Sequence, residues 1–366
     1  MGTRIGGFIG FSTAASSVAA RGVWTAESQA YFMRQGVNSW PSGESFGPVT
    51  ATGGSIEVPG NGYKYHYFTS SGSFNVSAGT GDGVVYIVGG GGGGAFSQGG
   101  GGGAGGMRSV PVTINTGLVA ITIGAGAANA EGSDTGSISP TTGRGLVGSA
   151  TTLTSSNVNH PLHGIYASGG GGGISAASPS TYAMGGSGGG DSSYRVVETN
   201  PGTAGSPGLT SNIGNLGGFT PPEGNRGGFT DPGGVAPNYG ASGGGGAGGE
   251  GGAGNPGTAG VGGVGAAFAD PAISPTYGTP GPDGALRYFA AGGGGGTYLS
   301  GTTPQQYGGG GMGGARATIG ATHNPDQDGD ANTGGGGGGL GDNIGGTPHC
   351  GTGKGGSGFV CIRYAV

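Results

Sequence analysis

Gly83-Val84-Val85-Tyr86-Ile87-Val88-Gly89-Gly90-Gly91-Gly92-Gly93-Gly94 decides how this chain is read. Its first half reads as a β-strand, an apolar run of β-branched and aromatic residues. Its second half has no side chains at all. Similar blocks recur at residues 99–103, 169–173, 188–190, 243–246, 292–296, 308–311 and 334–339, and 105 of the 366 residues are glycine. A run without side chains buries no apolar surface, so it makes neither an ordinary helix nor a core strand. It can still pack. Extended polyproline-II-like chains approach closely where glycine removes the Cβ, and an all-glycine chain accepts neighbours on every side. Lateral N–H···O=C bonds then pair the buried backbone groups. The blocks are expected to be short rods stacked in the polyglycine II arrangement. At about 3.1 Å per residue, a six-residue block is roughly 19 Å long.

Composition sets the bounds. Gly and Pro together make up about a third of the chain, a level usually read as low complexity. Yet only 8% of residues are charged, whereas soluble disordered chains are charge-rich. No Gly-X-Y period is kept along the chain, which excludes collagen. Hydrophobic residues are 32%, so any conventional core is small. Ordering glycine is entropically costly, so the fold is expected to lean on a β-sheet base, on homo-oligomerisation, or on both.

The net charge is −5, and the 12 Lys and Arg are scattered, leaving no basic stripe for nucleic acid. Cys350 and Cys361 lie close together near the C-terminus. They are not a disulfide framework, and free thiols are the expectation, although their spacing permits a bridge. No secretory signal is expected in Met1-Gly2-Thr3-Arg4-Ile5-Gly6-Gly7-Phe8, which lacks an apolar stretch. Gly6 is not the Ser or Thr that myristoylation needs. No apolar run approaches a membrane span. Assembly in a cell's cytoplasm into a particle released by lysis fits these features.

Residues 1–47 differ from the rest and read as an anchor segment. Thr25 as N-cap, residues 26–35 and Gly36 as C′ make one short helix, with Ala26, Ala30 and Met33 on one face. Trp24 and Trp40 flank it. A segment this small rarely holds itself together alone. Its Phe8, Phe11, Trp24, Tyr31, Met33 and Trp40 are candidates for docking onto a larger assembly. Residues 48–366 read as one glycine-rich domain. Its β base comes from residues 56–125 and a C-terminal strand at 358–365, with rods and loops across 89–339. Strands are expected at 63–69, 73–76, 83–88, 109–114 and 118–123, the last two as a hairpin-like pair about Asn115-Thr116-Gly117. Weaker ones fall at 151–154 and 164–167. The fold class is thus all-β: a β-sandwich base, stacked polyglycine II rods and a short N-terminal segment containing one helix.

Rods that alternate in direction put connections alternately at two ends. Residues 95–98, 174–184, 253–291 and 315–333 are then distal to the base, and 104–168, 191–242 and 297–307 proximal. The aromatic residues Phe96, Tyr182, Phe268, Tyr277, Tyr288, Tyr298 and Tyr307 fall in or beside these connections. They either plug the ends of the rods or stack on a sugar or protein surface.

Motif matches weigh little. Gly351-Thr352-Gly353-Lys354-Gly355-Gly356 fits GxGxxG, but it precedes a strand instead of opening a helix, and so much glycine yields chance matches. Asp326, Asp328, Asp330 and Asn332 place oxygens at alternate positions, as a calcium loop does. Gly329 and Gly337 occupy the wrong places, and a solvated acidic turn is expected. His160 and His163 flank Pro161 without a third ligand. No nucleophile elbow has its strand-to-helix context. Neither catalysis, nor a metal, nor a cofactor is expected.

Four pieces carry a family resemblance: Phe68-Thr69-x-x-Gly72-x-Phe74-x-Val76, the strand into glycine at 84–94, the repeated blocks, and Gly355-Gly356-Ser357-Gly358-Phe359-Val360-Cys361-Ile362-Arg363-Tyr364. With Gly22-Val23-Trp24-Thr25 and Trp40-Pro41, they resemble a glycine-rich domain of bacteriophage virion proteins, notably of marine phages. The blocks are also similar to the tip adhesins of T-even-like long tail fibres, although this chain is longer and its N-terminal segment and base differ. The resemblance implies a virion protein, a tail or tail-fibre tip adhesin whose loops bind a host cell-surface protein or glycan. On that reading Phe96, Tyr182, Phe268, Tyr277, Tyr288 and His323 are the candidate receptor contacts, and residues 1–47 meet other virion proteins. The alternative is a capsid decoration or head appendage protein whose glycine layer is purely structural.

Overall fold

The computed structural model describes residues 48–96, 98–129, 143–175, 183–193, 212–230, 239–282, 284–298, 303–312, 324–341 and 351–366. The expected N-terminal helix and Cys350 lie outside them. Among the described residues there are thirteen strands: β1 (Thr50–Thr52), β2 (Ser55–Glu57), β3 (Tyr63–Phe68), β4 (Gly72–Ala78), β5 (Gly81–Val88), β6 (Met107–Ile114), β7 (Gly117–Thr122), β8 (Thr151–Thr154), β9 (Tyr166–Ala167), β10 (Ala266–Ala267), β11 (Thr279–Pro280), β12 (Arg287–Phe289) and β13 (Phe359–Ala365). One sheet has the order β1-β4-β7-β8-β9 and a second β2-β3-β13-β5-β6, all antiparallel.

Alternation along the strands explains how the two sheets meet. In β4, Phe74 and Val76 are buried while their neighbours are exposed. They join Val85, Ile87, Val119, Ile121, Leu153, Val360 and Ile362 in one core between the sheets. Each such side chain contributes roughly 1.5–3 kcal/mol on full burial. The β6–β7 pair is not a hairpin. β6 pairs with β5 in the second sheet and β7 with β4 in the first, so the 115–117 turn is an arch between sheets. At the β1–β2 link the chain passes from one sheet edge to the other through Gly53 (φ 116°) and Gly54 (φ 63°). A side chain at Gly53 would collide with Ser73 O.

His66 sits inside this core, fully buried. Its Nδ1 lies 2.7 Å from Gly53 O and its Nε2 3.0 Å from the Tyr364 hydroxyl. Burial holds its pKa below the ordinary 6.5. The unfolded chain therefore takes up a proton first as pH falls, so the folded state is favoured above 6.5 and loses stability on acidification through that value.

The outer face of the second sheet is covered as well. Tyr65, Tyr67, Tyr86, Phe359 and Cys361 pack against Phe289 of a three-stranded sheet of order β10-β12-β11 and against Phe268 and Ile273 from the segment between β10 and β11. Cys361 is a buried free thiol, its pKa pushed well up by burial.

Strand ends run directly into glycine. β5 continues as the rod 89–95, which turns and returns as 99–106 into β6; Val88 pairs with Met107, and Gly89 N donates to Gly106 O (2.9 Å). The rods replace the twofold pleat of the strands with a threefold screw. Gly89, Gly92 and Ala95 donate to 106, 103 and 100; Gly90, Gly93 and Phe96 donate to 149, 146 and 143; Gly91 and Gly94 donate to 356 and 353. Each third residue thus addresses the same neighbour. The rod 99–106 is bonded to all of 89–95, 168–174, 185–191, 240–246, 290–296 and 334–341, a hexagonal surround that establishes polyglycine II packing.

Rod direction departs from simple alternation. Gly171 and Ile174 donate to Ser187 and Gly190, a constant offset, so 168–174 and 185–191 both run away from the base. Ala291 and Gly294 donate to Gly308 and Gly311 in the same way. Ile174 and Gly296 therefore lie at the distal end while Gly185 and Gly308 lie at the base, and rods at 224–228, 249–254 and 260–265 add further reversals. As a result residues 266–289 pack on the base and not at the distal end. Residues 191 and 242 meet distally, where Ser242 N donates to Asp191 O (3.0 Å).

Two outcomes follow from this packing. Gly102 faces backbone, and a Cβ there would fall on Gly92 O, whereas one at Gly72 would meet only the Phe68 ring at 3.8 Å. Gly102→Ala should prevent cooperative folding, while Gly72→Ala should shift stability by no more than about 1 kcal/mol, as thermal melting would show. His66→Gln should weaken the loss of melting temperature on acidification below 6.5, and an identical pH profile would contradict the assignment.

Candidate functional site

The bundle has two poles. β5 begins at Gly81 and enters the rods after Val88, so Gly81 marks the pole remote from the glycine. Thr50 pairs with Ala78, and Val49 packs against Gly81, so residues 1–47 join the domain at that remote pole. The rods end at the opposite, distal pole. Phe96, Gln98, Asn129, Gly143, Ser193, Thr230, Tyr239, Tyr298, Met312, Asn324, Gly341 and Gly351 all border chain connections there.

The turn of the central rod lies in the middle of the distal pole. Phe96 is buried, and its N donates to Gly143 O (2.8 Å). Gln98 adopts φ 56°; its N donates to Gly341 O (2.7 Å) and its O accepts from Ser193 N (3.2 Å) and Ser192 Oγ (3.0 Å). Its Oε1 accepts from Ser193 Oγ at 3.4 Å. Beside it, Tyr239 and Tyr298 meet edge to face with centroids 5.7 Å apart. Their backbones are tied by Tyr298 N donating to Tyr239 O (3.0 Å). Both residues are half-buried. Hydroxyl, amide and phenol groups on a side-chain-free platform can hydrogen-bond and stack.

The residues singled out from sequence do not gather at one place. Phe96 is distal but covered. Phe268 is 2% exposed in the core over the second sheet. Tyr277 stacks on Tyr67 with centroids 4.5 Å apart, and Tyr288 lies 6.3 Å from Tyr307. These three belong to the layer packed on the base. Tyr182, His323 and all the docking candidates, Phe8, Phe11, Trp24, Tyr31, Met33 and Trp40, lie outside the described residues. Tyr298, expected at the proximal end, stands with Phe96 at the distal rod ends, and Tyr239 joins it there; only its position at the start of a rod signalled Tyr239.

The densest polar constellation is elsewhere, and sequence reading missed it. Asp270 is buried over the second sheet. Its Oδ2 accepts from Tyr65 Oη (3.2 Å), Tyr86 Oη (3.1 Å) and Arg363 (2.8 Å), and its Oδ1 accepts from Ala272 N (3.0 Å). Arg363 also lies over the Tyr63 ring at 4.4 Å. Burial raises both phenol pKa values, so both groups stay protonated donors. Both oxygens of the carboxylate are engaged by protein donors, which leaves no place for a substrate. Asp270 is a latch that fixes the 266–289 layer to the base.

Among the described residues, no group of three or more His, Cys, Asp or Glu is arranged to hold a metal ion. Asp328 Oδ1 accepts from Lys354 N (2.7 Å), and Asp330 Oδ2 from Gln305 (3.2 Å), so the acidic turn is divided between partners. His160 Nδ1 accepts from Leu162 N (3.2 Å), and His163 Nδ1 pairs with the Ser155 backbone.

A family profile described as a glycine-rich domain matches residues 68–365, from the end of β3 through β13. The chain belongs to this glycine-rich domain family. The matched span holds the described rods of the bundle and most of the sandwich. No curated protein matches the chain.

Removing the latch should cost stability. Asp270→Ala leaves Arg363 and two phenols buried without their acceptor, a loss of about 3–5 kcal/mol in denaturant unfolding. A change near zero would mean that the 266–289 layer does not depend on it.

Proposed function

We propose that this chain is a bacteriophage virion protein that is held to the particle through residues 1–47 and turns the distal pole of its glycine bundle toward a host cell-surface protein or glycan, without catalysis. The observation that carries this reading is the two-pole layout. The N-terminal segment joins at one pole, and the connections between rods emerge at the other. A bundle bonded laterally in every direction is a stiff spacer between them. Membership of the glycine-rich domain family and the resemblance to tail-fibre tip adhesins support the same assignment. Within it, Tyr239 and Tyr298 replace the covered Phe268 as the aromatic contacts, since partly exposed aromatics are typical binding anchors.

The test uses particles carrying the Tyr239→Ala/Tyr298→Ala pair, together with immunogold labelling against the chain. Label at tail or fibre tips and host adsorption reduced roughly tenfold or more are expected. Label over the capsid with normal adsorption would favour the decoration reading. A chain absent from purified particles would end both.

A further inference from the structure

Asn61-Gly62 is the one Asn-Gly pair in the sequence. It sits in the turn between β2 and β3, and both residues are exposed. Gly60 (φ 85°) and Gly62 (φ 84°) flank the asparagine with left-handed backbone, and a Cβ built on Gly62 would meet nothing within 4 Å. Asn61 Oδ1 accepts from Tyr63 N (3.2 Å). That bond curls the side chain back over the Gly62 amide and fixes which end of the Asn61 amide is oxygen. Nδ2 then donates to Tyr65 Oη (3.0 Å), and the same phenol donates to Asp270 Oδ2 (3.2 Å). Asn61 is thus the outer member of the hydrogen-bond chain that reaches the latch. Val366 N, just past β13, donates to Gly62 O (3.1 Å) and ties the turn to the end of the chain.

An asparagine folded over a following glycine reacts with its own backbone. Gly62 N attacks Asn61 Cγ, the Cγ–Nδ2 bond breaks, and the nitrogen leaves as ammonia with the proton of the Gly62 amide. Water opens the resulting cyclic imide at either carbonyl, which leaves a carboxylate on residue 61 and a backbone that is either normal or β-linked. Glycine offers no side chain to hinder the attack.

We propose that Asn61 is a site of spontaneous deamidation, and that the carboxylate formed there loosens the Asp270 latch and with it the 266–289 layer. The count of donors carries the second part. Tyr65 has one hydroxyl proton, which goes to Asp270, while its oxygen accepts from Asn61 Nδ2. A carboxylate at position 61 has no proton to give, so two carboxylates contend for the single phenol proton. It also brings a second negative charge to a cluster in which Arg363 already serves Asp270. A β-linked product adds a methylene to the backbone beside the Val366 bond.

The test incubates the purified full chain in warm, mildly alkaline buffer and follows it by peptide mass mapping and thermal melting. Asn61 should convert several-fold faster than any other asparagine, giving isoaspartate as well as aspartate, and the melting temperature should fall in step. Asn61→Gln keeps an amide and closes such a ring far more slowly, so its melting temperature should hold over the same time. Freshly made Asn61→Asp should melt lower than wild type, and the same change should cost less in an Asp270→Asn background. An Asn61 still intact after other asparagines have converted would overturn the site. Conversion with no change in melting, or an equal penalty with and without Asp270→Asn, would overturn its link to the latch. Should Asn61→Asp not fold, aged wild type against aged Asn61→Gln decides the same question.

Discussion

Everything in this molecule depends on the absence of a Cβ at the places where backbones touch. A rod of the threefold screw turns each successive amide toward a different neighbour, so it needs company on all sides to satisfy its backbone. The neighbours must come close enough for those bonds, and at that distance a methyl group from Gly100, Gly101 or Gly103 would occupy a carbonyl of the next rod. Glycine is therefore the structural material here, not a tolerated spacer. The entropic cost of ordering so much of it is met by a dense lateral network of amide–carbonyl bonds between the rods.

Such a network needs a starting plane, and the β-sandwich supplies it. β5, β6, β7, β8, β9 and β13 deliver their chains to the bundle in register, set by ordinary cross-strand pairing over an ordinary apolar core. Thr151 works at the boundary. Its Oγ1 donates to Val88 O (2.7 Å) and accepts from Gly124 N (2.9 Å), joining three chains where pleat gives way to screw. The 266–289 layer closes the remaining face of the base. Phe268, Tyr277 and Tyr288, which looked like display groups, are packing groups for this reason.

The β base was legible because its strands carry strong local signals: β-branched and aromatic runs in β3, β5 and β13, and alternation in β4. The rods were legible from the pure glycine blocks. What failed were statements about partners. Asn115-Thr116-Gly117 is a genuine turn signal, but turn chemistry does not say whether the next strand stays in the same sheet. Rod direction failed because the outer rods are not pure glycine. Ala247, Glu250 and Ala253, and then Thr258, Val261 and Val264, recur at every third position. Glu250, Ala253, Thr258, Val261 and Val264 face solvent. That period marks a rod with one free side, and it is visible only within short windows. Asp270 gave no signal because its hydroxyl and guanidinium partners are 93 to 205 residues away. Of the site, the turn at Phe96 is distal as expected; Tyr298, expected at the proximal end, is distal, and Phe268, Tyr277 and Tyr288, expected at the distal end, pack on the base.

The continuity of strand and rod has a mechanical meaning. A pull between the two poles runs along β5 and 89–95 without crossing a joint, and it loads the lateral hydrogen bonds in shear instead of peeling them one at a time. Bonds loaded this way share the force and yield together. The same backbone that leaves no room for a side chain is thereby a tether, one whose resistance to extension comes from geometry and not from the size of its core.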